Sequence, residues 1–340
     1  MMSKQTPFQS ELTEIQQPVA YELGLFRQMY RNALTSADGL LQQALQHLLQ
    51  RTGKGMRPTL TLLMAKAYGG VTDATLHGAC ALELLHTASL LHDDVVDESA
   101  ERRGQASVNA AYTNKIAVLV GDFLLSKALE EISKTGSHVL TMRLGHVGRV
   151  LSEGELEQIE ASQGTDMTSE TYFSVISKKT GELFAACVDL GRLSAKQEAS
   201  EQQKLDAALE TAATDFGRRV GMMFQVKDDL LDFIGENDVG KPVGQDLSEG
   251  KLTLPVLMAL KGADGDVQQL ALRVKHEEAS ADEIATLHDY ALQHDGVALA
   301  DAALAAMRAE SADFIAENVK DAEISRALTR YIDYIINRKL

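Results

Sequence analysis

Two groups of carboxylates share one spacing: Asp93, Asp94 and Asp97 form the first, and Asp228, Asp229 and Asp232 the second. On a helix, residues four apart lie on one face, so Asp93 and Asp97 point the same way, with Asp94 on the flank. Like charges so placed repel, and a divalent cation relieves the repulsion. Hard oxygen ligands select Mg²⁺ or a relative, which usually shares its shell with substrate phosphates. A lone DDxxD is better explained as a solvated acidic face. Here, however, both groups are embedded in apolar sequence. Leu84, Leu85, Ala88, Leu90 and Leu91 precede the first, which encloses Val95 and Val96, and the second lies between Val220–Phe224 and Leu230–Ile234. Carboxylates in such surroundings are costly unless paired or metal-bound. Two carboxylate-rich walls facing each other would hold several ions around one diphosphate and favour its loss as an anion.

The basic residues near these groups suit phosphate. Arg102 and Arg103 follow the first group within about two turns, and their forked donors match phosphate oxygens, although a salt bridge to the aspartates is an alternative. Lys54 and Arg57 stand in Thr52-Gly53-Lys54-Gly55-Met56-Arg57-Pro58. Its glycines allow close backbone approach, and its proline suits a first helical turn. Lys179 and Thr180 precede Gly181, Gln225 is one turn before Asp229, and Lys241 and Lys251 frame a glycine-containing loop. Each of these bases taken singly reads as ordinary surface charge; the set around two acidic groups does not. His86 reads equally as a buried, hydrogen-bonded histidine or a phosphate contact. His92 is rotated about 100° from Asp93 and is not assigned as a ligand.

The elements that must position these groups read as helices. Five prolines occur, none between Pro58 and Pro242, and strand-type alternation is hard to find. Breaks fall at Tyr68-Gly69-Gly70, Thr135-Gly136-Ser137, Gly164-Thr165-Asp166 and Gly235 to Gly244, and Ser280 with Glu283 marks a helix start. The segments Leu82–Leu91 and Ile116–Leu125 are apolar nearly all round, which predicts helices in the middle of a bundle. The C-terminal sixty residues read as outer packing helices. The chain of 340 residues, 45% hydrophobic, can bury a large core. The expectation is one all-α domain over residues 1–340, with about the first twenty a flexible N-terminus.

A net charge of −16 argues against a nucleic-acid partner. No apolar run has the roughly eighteen residues of a membrane span, and the N-terminus lacks a signal peptide's apolar middle. Cys80 and Cys187 sit in apolar helical patterns and read as reduced, buried hydrophobes, which suits the cytoplasm.

Taken in order, GKGMRP, ELLHTASLLHDDVVDES, RRG, AVLVGDFLL, KTGELF, FQVKDDLLD and GKPVGQDLSEGKLTLP resemble the trans-isoprenyl diphosphate synthases, also called polyprenyl synthetases. The resemblance covers roughly residues 50 to 260. It implies a bundle of long antiparallel helices around a central cavity, usually as a homodimer. It implies head-to-tail condensation of isopentenyl diphosphate onto an allylic diphosphate: the allylic C–O bond ionises, the isopentenyl π bond attacks the cation, and proton loss restores a double bond. Asp93, Asp94, Asp97, Asp228 and Asp229 would hold Mg²⁺, with Asp232 supporting. Arg102, Lys179, Thr180, Gln225, Lys241 and Lys251 would contact the allylic diphosphate. Lys54, Arg57, His86 and Arg103 would bind isopentenyl diphosphate. The family often has two glycines before the lysine and a base after it. Here Thr52-Gly53 and Gly55 stand there, while Lys54 and Arg57 keep the Lys-x-x-Arg-Pro spacing.

The resemblance also bears on product length. Large aromatics shortly before the first aspartates imply short products, whereas this chain has Ala88 and Ser89. That implies an all-trans product of about six to ten isoprene units, such as a quinone side chain. A short-chain farnesyl or geranylgeranyl synthase remains the alternative. A class I terpene cyclase is disfavoured by the second DDxxD and by the absence of Trp among 5% aromatics. A non-catalytic partner subunit would be expected to have lost aspartates or lysines. A helical interaction protein with incidental acidic faces is the remotest reading.

Overall fold

A computed structural model describes residues 7–50, 53–102, 104–195, 207–235 and 244–338. Among them the only strands are a two-residue pair, Glu101–Arg102 against Gln105–Ala106, joined antiparallel. Everything else regular is helical, as the long proline-free run requires.

Helix α1 (Pro7–Gln16) and a 3₁₀ turn (Gln17–Val19) lead into α2 (Ala20–Ala33) and α3 (Gly39–Leu49). From Pro7 on these correct the expectation of a flexible N-terminus, whose first six residues lie outside the described ones: Ile15 and Val19 are fully buried, and Gln16 donates to the Lys54 carbonyl and to the Thr59 hydroxyl, both at 3.1 Å. Helices α4 (Met56–Ala67) and α5 (Asp73–Val96) flank the Tyr68-Gly69-Gly70 break, and Thr72 opens α5 with a capping box. After the hairpin and the short α6 (Val108–Ala111) come α7 (Asn114–Lys134) and α8 (His138–Gln163), separated at Thr135-Gly136-Ser137. Helix α9 (Ser169–Ile176) runs through a π turn (Ser177–Gly181) into α10 (Glu182–Ser194).

Helix α10 is the bundle's interior. Leu183, Phe184, Ala186, Val188 and Leu190 are all at most 2% exposed, and it packs against α4, α5, α8 and α11 (Ala207–Ile234). Its buried Glu182 and Asp189 are met by Arg143 from α8, with Thr214 and Arg218 from α11 closing the network. Buried charges need such pairing, and this one ties three helices behind the site.

Beyond α11 lie α12 (Gln245–Ser248), α13 (Leu254–Ala259), α14 (Gly265–Lys275), α15 (Ala281–Gln293), α16 (Gly296–Asn318) and α17 (Ala322–Asn337). Ser280 and Glu283 form the expected capping box of α15. A satellite cluster around Phe233, Leu247, Val256 and Leu287 anchors the end of α11 and the turn that carries Lys251.

One expected interior helix is only partly so. Val118 and Leu119 in α7 are 39% and 58% exposed, and Leu129 there and Met142 in α8 are also exposed. The all-round apolar pattern therefore combines a face packed on α5 with an uncovered one.

Candidate active site

The first carboxylate group closes α5, with Asp97 as its C-cap. Asp94 is 2% exposed and accepts from Arg102 Nε at 2.6 Å, so the hairpin returns its arginine onto the aspartate nearest the core. The salt-bridge alternative for Arg102 thus holds in this state. Asp93 is half-buried. Burial raises its carboxyl to about 6; Glu155 and Asp97 add to the rise, and Lys179 and Arg102 oppose it. Asp97 remains exposed.

Lys179 reaches this group because the backbone loosens into a π turn at Ser177–Gly181. Such insertions are frequent at functional sites. Two glycines make room for it. A Cβ at Gly154 would lie 2.8 Å from Lys178 Cβ, and one at Gly221 would lie 2.7 Å from the Gly181 Cα. Lys179 Nζ is held by Glu155 at 2.5 Å and Gln158 at 2.8 Å, both from α8. Sequence does not single out either of them; Gly154-Glu155 and Gln158 carry no spacing that separates them from a polar helix face.

The second group stands on α11, where each aspartate has a different partner. Asp229 is 5% exposed; its Oδ2 accepts from the Tyr172 hydroxyl at 2.5 Å and its Oδ1 from Gln225 Nε2 at 2.9 Å. Thr180 in turn donates to Gln225 Oε1 at 3.0 Å. Thr180 and Gln225, both expected as substrate contacts, are bonded to each other here. Burial raises Asp229 to about 7, against the two bonds, and raises the Tyr172 phenol well above its ordinary value, so that it stays a donor. Asp232 accepts from the Asp246 amide at 3.0 Å. Asp246 is a further carboxylate, pushed up to about 6 by burial and by Asp232. Lys251 pairs with Glu249 at 2.8 Å; burial opposes its charge, but Glu249, Asp246 and Asp97 outweigh that and raise its pKa. Lys251 therefore lies in the field of Asp97 from the first group and of Asp246, which neighbours Asp232 of the second.

Asp228 pairs with Arg338 at 2.8 Å. Burial raises Asp228, against the pull of Arg338, Lys54 and Arg57. The Arg338 guanidinium sits 3.8 Å from the Phe224 ring centre, Lys54 lies over Tyr334 at 5.7 Å, and the fully buried Tyr331 donates to the Met56 carbonyl at 3.0 Å. Residues 331, 334 and 338 recur at helical spacing on or just past α17. This corrects the reading of the C-terminal residues as outer packing only. Within the loop before α4, Gly55 has φ +69°, a conformation that glycine adopts freely. Arg57 lies 5.0 Å over the Phe184 ring, with its buried Nε unpaired.

A cavity of about 370 Å³ opens beside α5, lined by Gly53, Gly55, His86, Asp94 and Arg102, with Leu90 and Leu91 on its apolar side. His86, 8% exposed, thus joins the glycine loop and Arg102 at one site. Ala88 is fully buried, Ser89 bonds the His86 carbonyl at 2.9 Å, and neither lines this cavity. The two residues expected to set chain length therefore lie off it. Arg103 and Lys241 lie outside the described residues.

The carboxylates fit a hard divalent cation. Burial and like charges make their ionised forms costly, and added positive charge relieves that cost. Among the described residues no three metal-ligating side chains enclose an ion by themselves.

The polyprenyl synthetase family model matches residues 38–291. An octaprenyl diphosphate synthase of Escherichia coli (strain K12) is 39% identical over 228 residues, covering 67% of this chain and 68% of its own. The chain belongs to the polyprenyl synthetase family. This makes it a prenyltransferase by family. Two solved members have the same fold. A geranylgeranyl pyrophosphate synthase from Bacteroides thetaiotaomicron is 36% identical, with TM-score 0.82 over 97% of this chain and 100% of its own. A polyprenyl synthase from Caulobacter crescentus CB15, complexed with calcium and isoprenyl diphosphate, is 28% identical, with TM-score 0.85 over 97% and 98%.

Proposed function

We propose that this polyprenyl synthetase condenses isopentenyl diphosphate head-to-tail with an allylic diphosphate, using several Mg²⁺ ions, to give a long all-trans polyprenyl diphosphate of about six to ten units. The observation that carries the chemistry is the pair of buried aspartates, Asp94 and Asp229, with one π turn placing Lys179 on Glu155 and its neighbour Thr180 on the Gln225 that bonds Asp229. Asp93, Asp94 and Asp97 from α5, with Asp228, Asp229 and the supporting Asp232 from α11, would hold magnesium, which would supply the positive charge that favours diphosphate departure. Lys179, held beside Asp93, would receive the allylic diphosphate together with Arg102, Thr180, Gln225, Lys241 and Lys251. Lys54 and Arg57, with Arg338 on the same side of Asp228, would bind isopentenyl diphosphate, with His86 and Arg103 completing the pocket. The apolar residues around these groups exclude water, which would otherwise capture the allylic cation.

The exposed apolar residues of α7 and α8 favour a homodimer through that face. Two buried, free cysteines fit a cytoplasmic location, and among the described residues no helix is long and apolar enough to cross a membrane. Residues 38–291 and the helices that extend them are read as one domain. A short-chain product is the second reading, favoured by the position of Ala88 and Ser89 away from the described cavity. Chromatographic sizing of the products from purified protein, isopentenyl diphosphate and farnesyl diphosphate decides between them. A ladder ending at six or more units supports the long-chain reading, and one ending at four contradicts it.

A further inference from the structure

We propose that Tyr172 is a positioning residue of the second aspartate group, the terminal donor of a hydrogen-bond chain that aims Asp229 at the metal–diphosphate site. The proposal rests on the reading of Asp229 as part of that site. The chain runs from the Thr180 hydroxyl to Gln225, from Gln225 to Asp229 Oδ1, and from Tyr172 to Asp229 Oδ2. It crosses three elements: the π turn, α11 and α9. Both carboxylate oxygens carry one donor each, which fixes the carboxylate plane and leaves its remaining lone pairs in set directions. Gln225 alone would leave the group free to turn, because the amide and the aspartate share one helix. The second donor comes from a different helix, α9, and prevents that rotation.

Tyr172 is itself held. Its ring meets Phe173 edge-on at 5.4 Å, and the neighbouring Ser174 hydroxyl donates to Glu157 of α8 at 2.6 Å. Outer-shell donors of this kind orient metal ligands. The same chain gives Thr180 an indirect role. Its hydroxyl orients the Gln225 amide, so that Gln225 presents an N–H rather than its oxygen to Asp229.

The test uses calorimetric titration of Mg²⁺ into the full-length protein with inorganic diphosphate present, which needs no turnover. Tyr172→Phe keeps the ring and removes the hydroxyl. The expected result is Mg²⁺ binding weakened roughly 10–100-fold, with the thermal unfolding midpoint recorded beside it. Thr180→Val breaks the chain at its other end. The double variant is expected to lose less than the product of the single losses, because both act through one carboxylate. Asp229→Asn is the control for the underlying reading. If it binds Mg²⁺ and diphosphate as the wild type does, the site assignment of Asp229 fails. If it weakens binding while Tyr172→Phe does not, the positioning role alone is overturned. If Tyr172→Phe proves unfolded, Phe173→Leu reports on α9 packing without touching the chain, and Thr180→Val carries the decision.

Discussion

Arg338→Gln probes how the second carboxylate wall is kept in the absence of metal. The Arg338 side chain is 10% exposed and its partner Asp228 44%. Breaking a fully buried pair costs about 3–5 kcal/mol, and an exposed pair is worth about 0.2–1 kcal/mol. The pair lies between these limits, so its loss is expected to cost about 1–3 kcal/mol. Loss of the guanidinium over Phe224 adds about 0.5–1 kcal/mol. The assay is urea unfolding of wild type and variant, each with and without Mg²⁺. Without metal the variant should be the less stable by this sum. With metal the difference should shrink by about 1 kcal/mol or more, because the bound cation then neutralises Asp228 and the wild-type pair is no longer needed. A deficit unchanged by metal would show that the Arg338–Asp228 pair is only structural, and that Asp228 does not meet the cation.

Lys54→Ala or Arg57→Ala should raise the KM for isopentenyl diphosphate more than that for the allylic substrate, and Lys179→Ala the reverse, each lost charged bond costing about 1.5–3 kcal/mol; steady-state kinetics showing equal effects would mean the site is divided wrongly. Ala88→Phe should shorten the product ladder, at a stability cost of about 1–3 kcal/mol for overpacking a fully buried position; a folded variant with an unchanged ladder would remove Ala88 from the chain-length determinants. Burial raises Asp229 to about 7, so the folded state keeps a proton that the unfolded chain releases near pH 4. Metal-free wild type should therefore lose stability relative to Asp229→Asn as pH rises from about 4 to 7, and its Mg²⁺ binding should tighten over the same window. Urea midpoints that move the other way would contradict the buried, protonated Asp229.

The sequence carried the helical class, the break before α5, those on either side of α8, and the α15 capping box, because glycine, proline and cap chemistry are local. It singled out the six aspartates because a solvated surface face does not repeat that spacing inside two apolar runs. It did not carry Tyr172, Glu155, Gln158 or Arg338. Each acts through a partner between 21 and 110 residues away along the chain, and spacing within a helix is silent about such pairs. The π turn was equally hidden: the space for it is provided by Gly154 and Gly221 on other helices. The amphipathic pattern of α17 is that of an ordinary packing helix, and only its docking against Met56 and Phe224 turns residues 331 to 338 toward the site. The exposed face of α7 cannot be told from a core face in the sequence, because both are apolar and only the packing of neighbouring helices separates them.

Metal-dependent condensation between the two aspartate walls is tested most directly by incorporation of labelled isopentenyl diphosphate into lipid-extractable product, with farnesyl diphosphate as primer. The wild type should incorporate label only with Mg²⁺ present, and Asp93→Ala/Asp97→Ala should incorporate none while unfolding in urea as a folded protein does. Turnover in that double variant equal to the wild type, or wild-type incorporation undiminished by removal of the metal, would contradict the assignment.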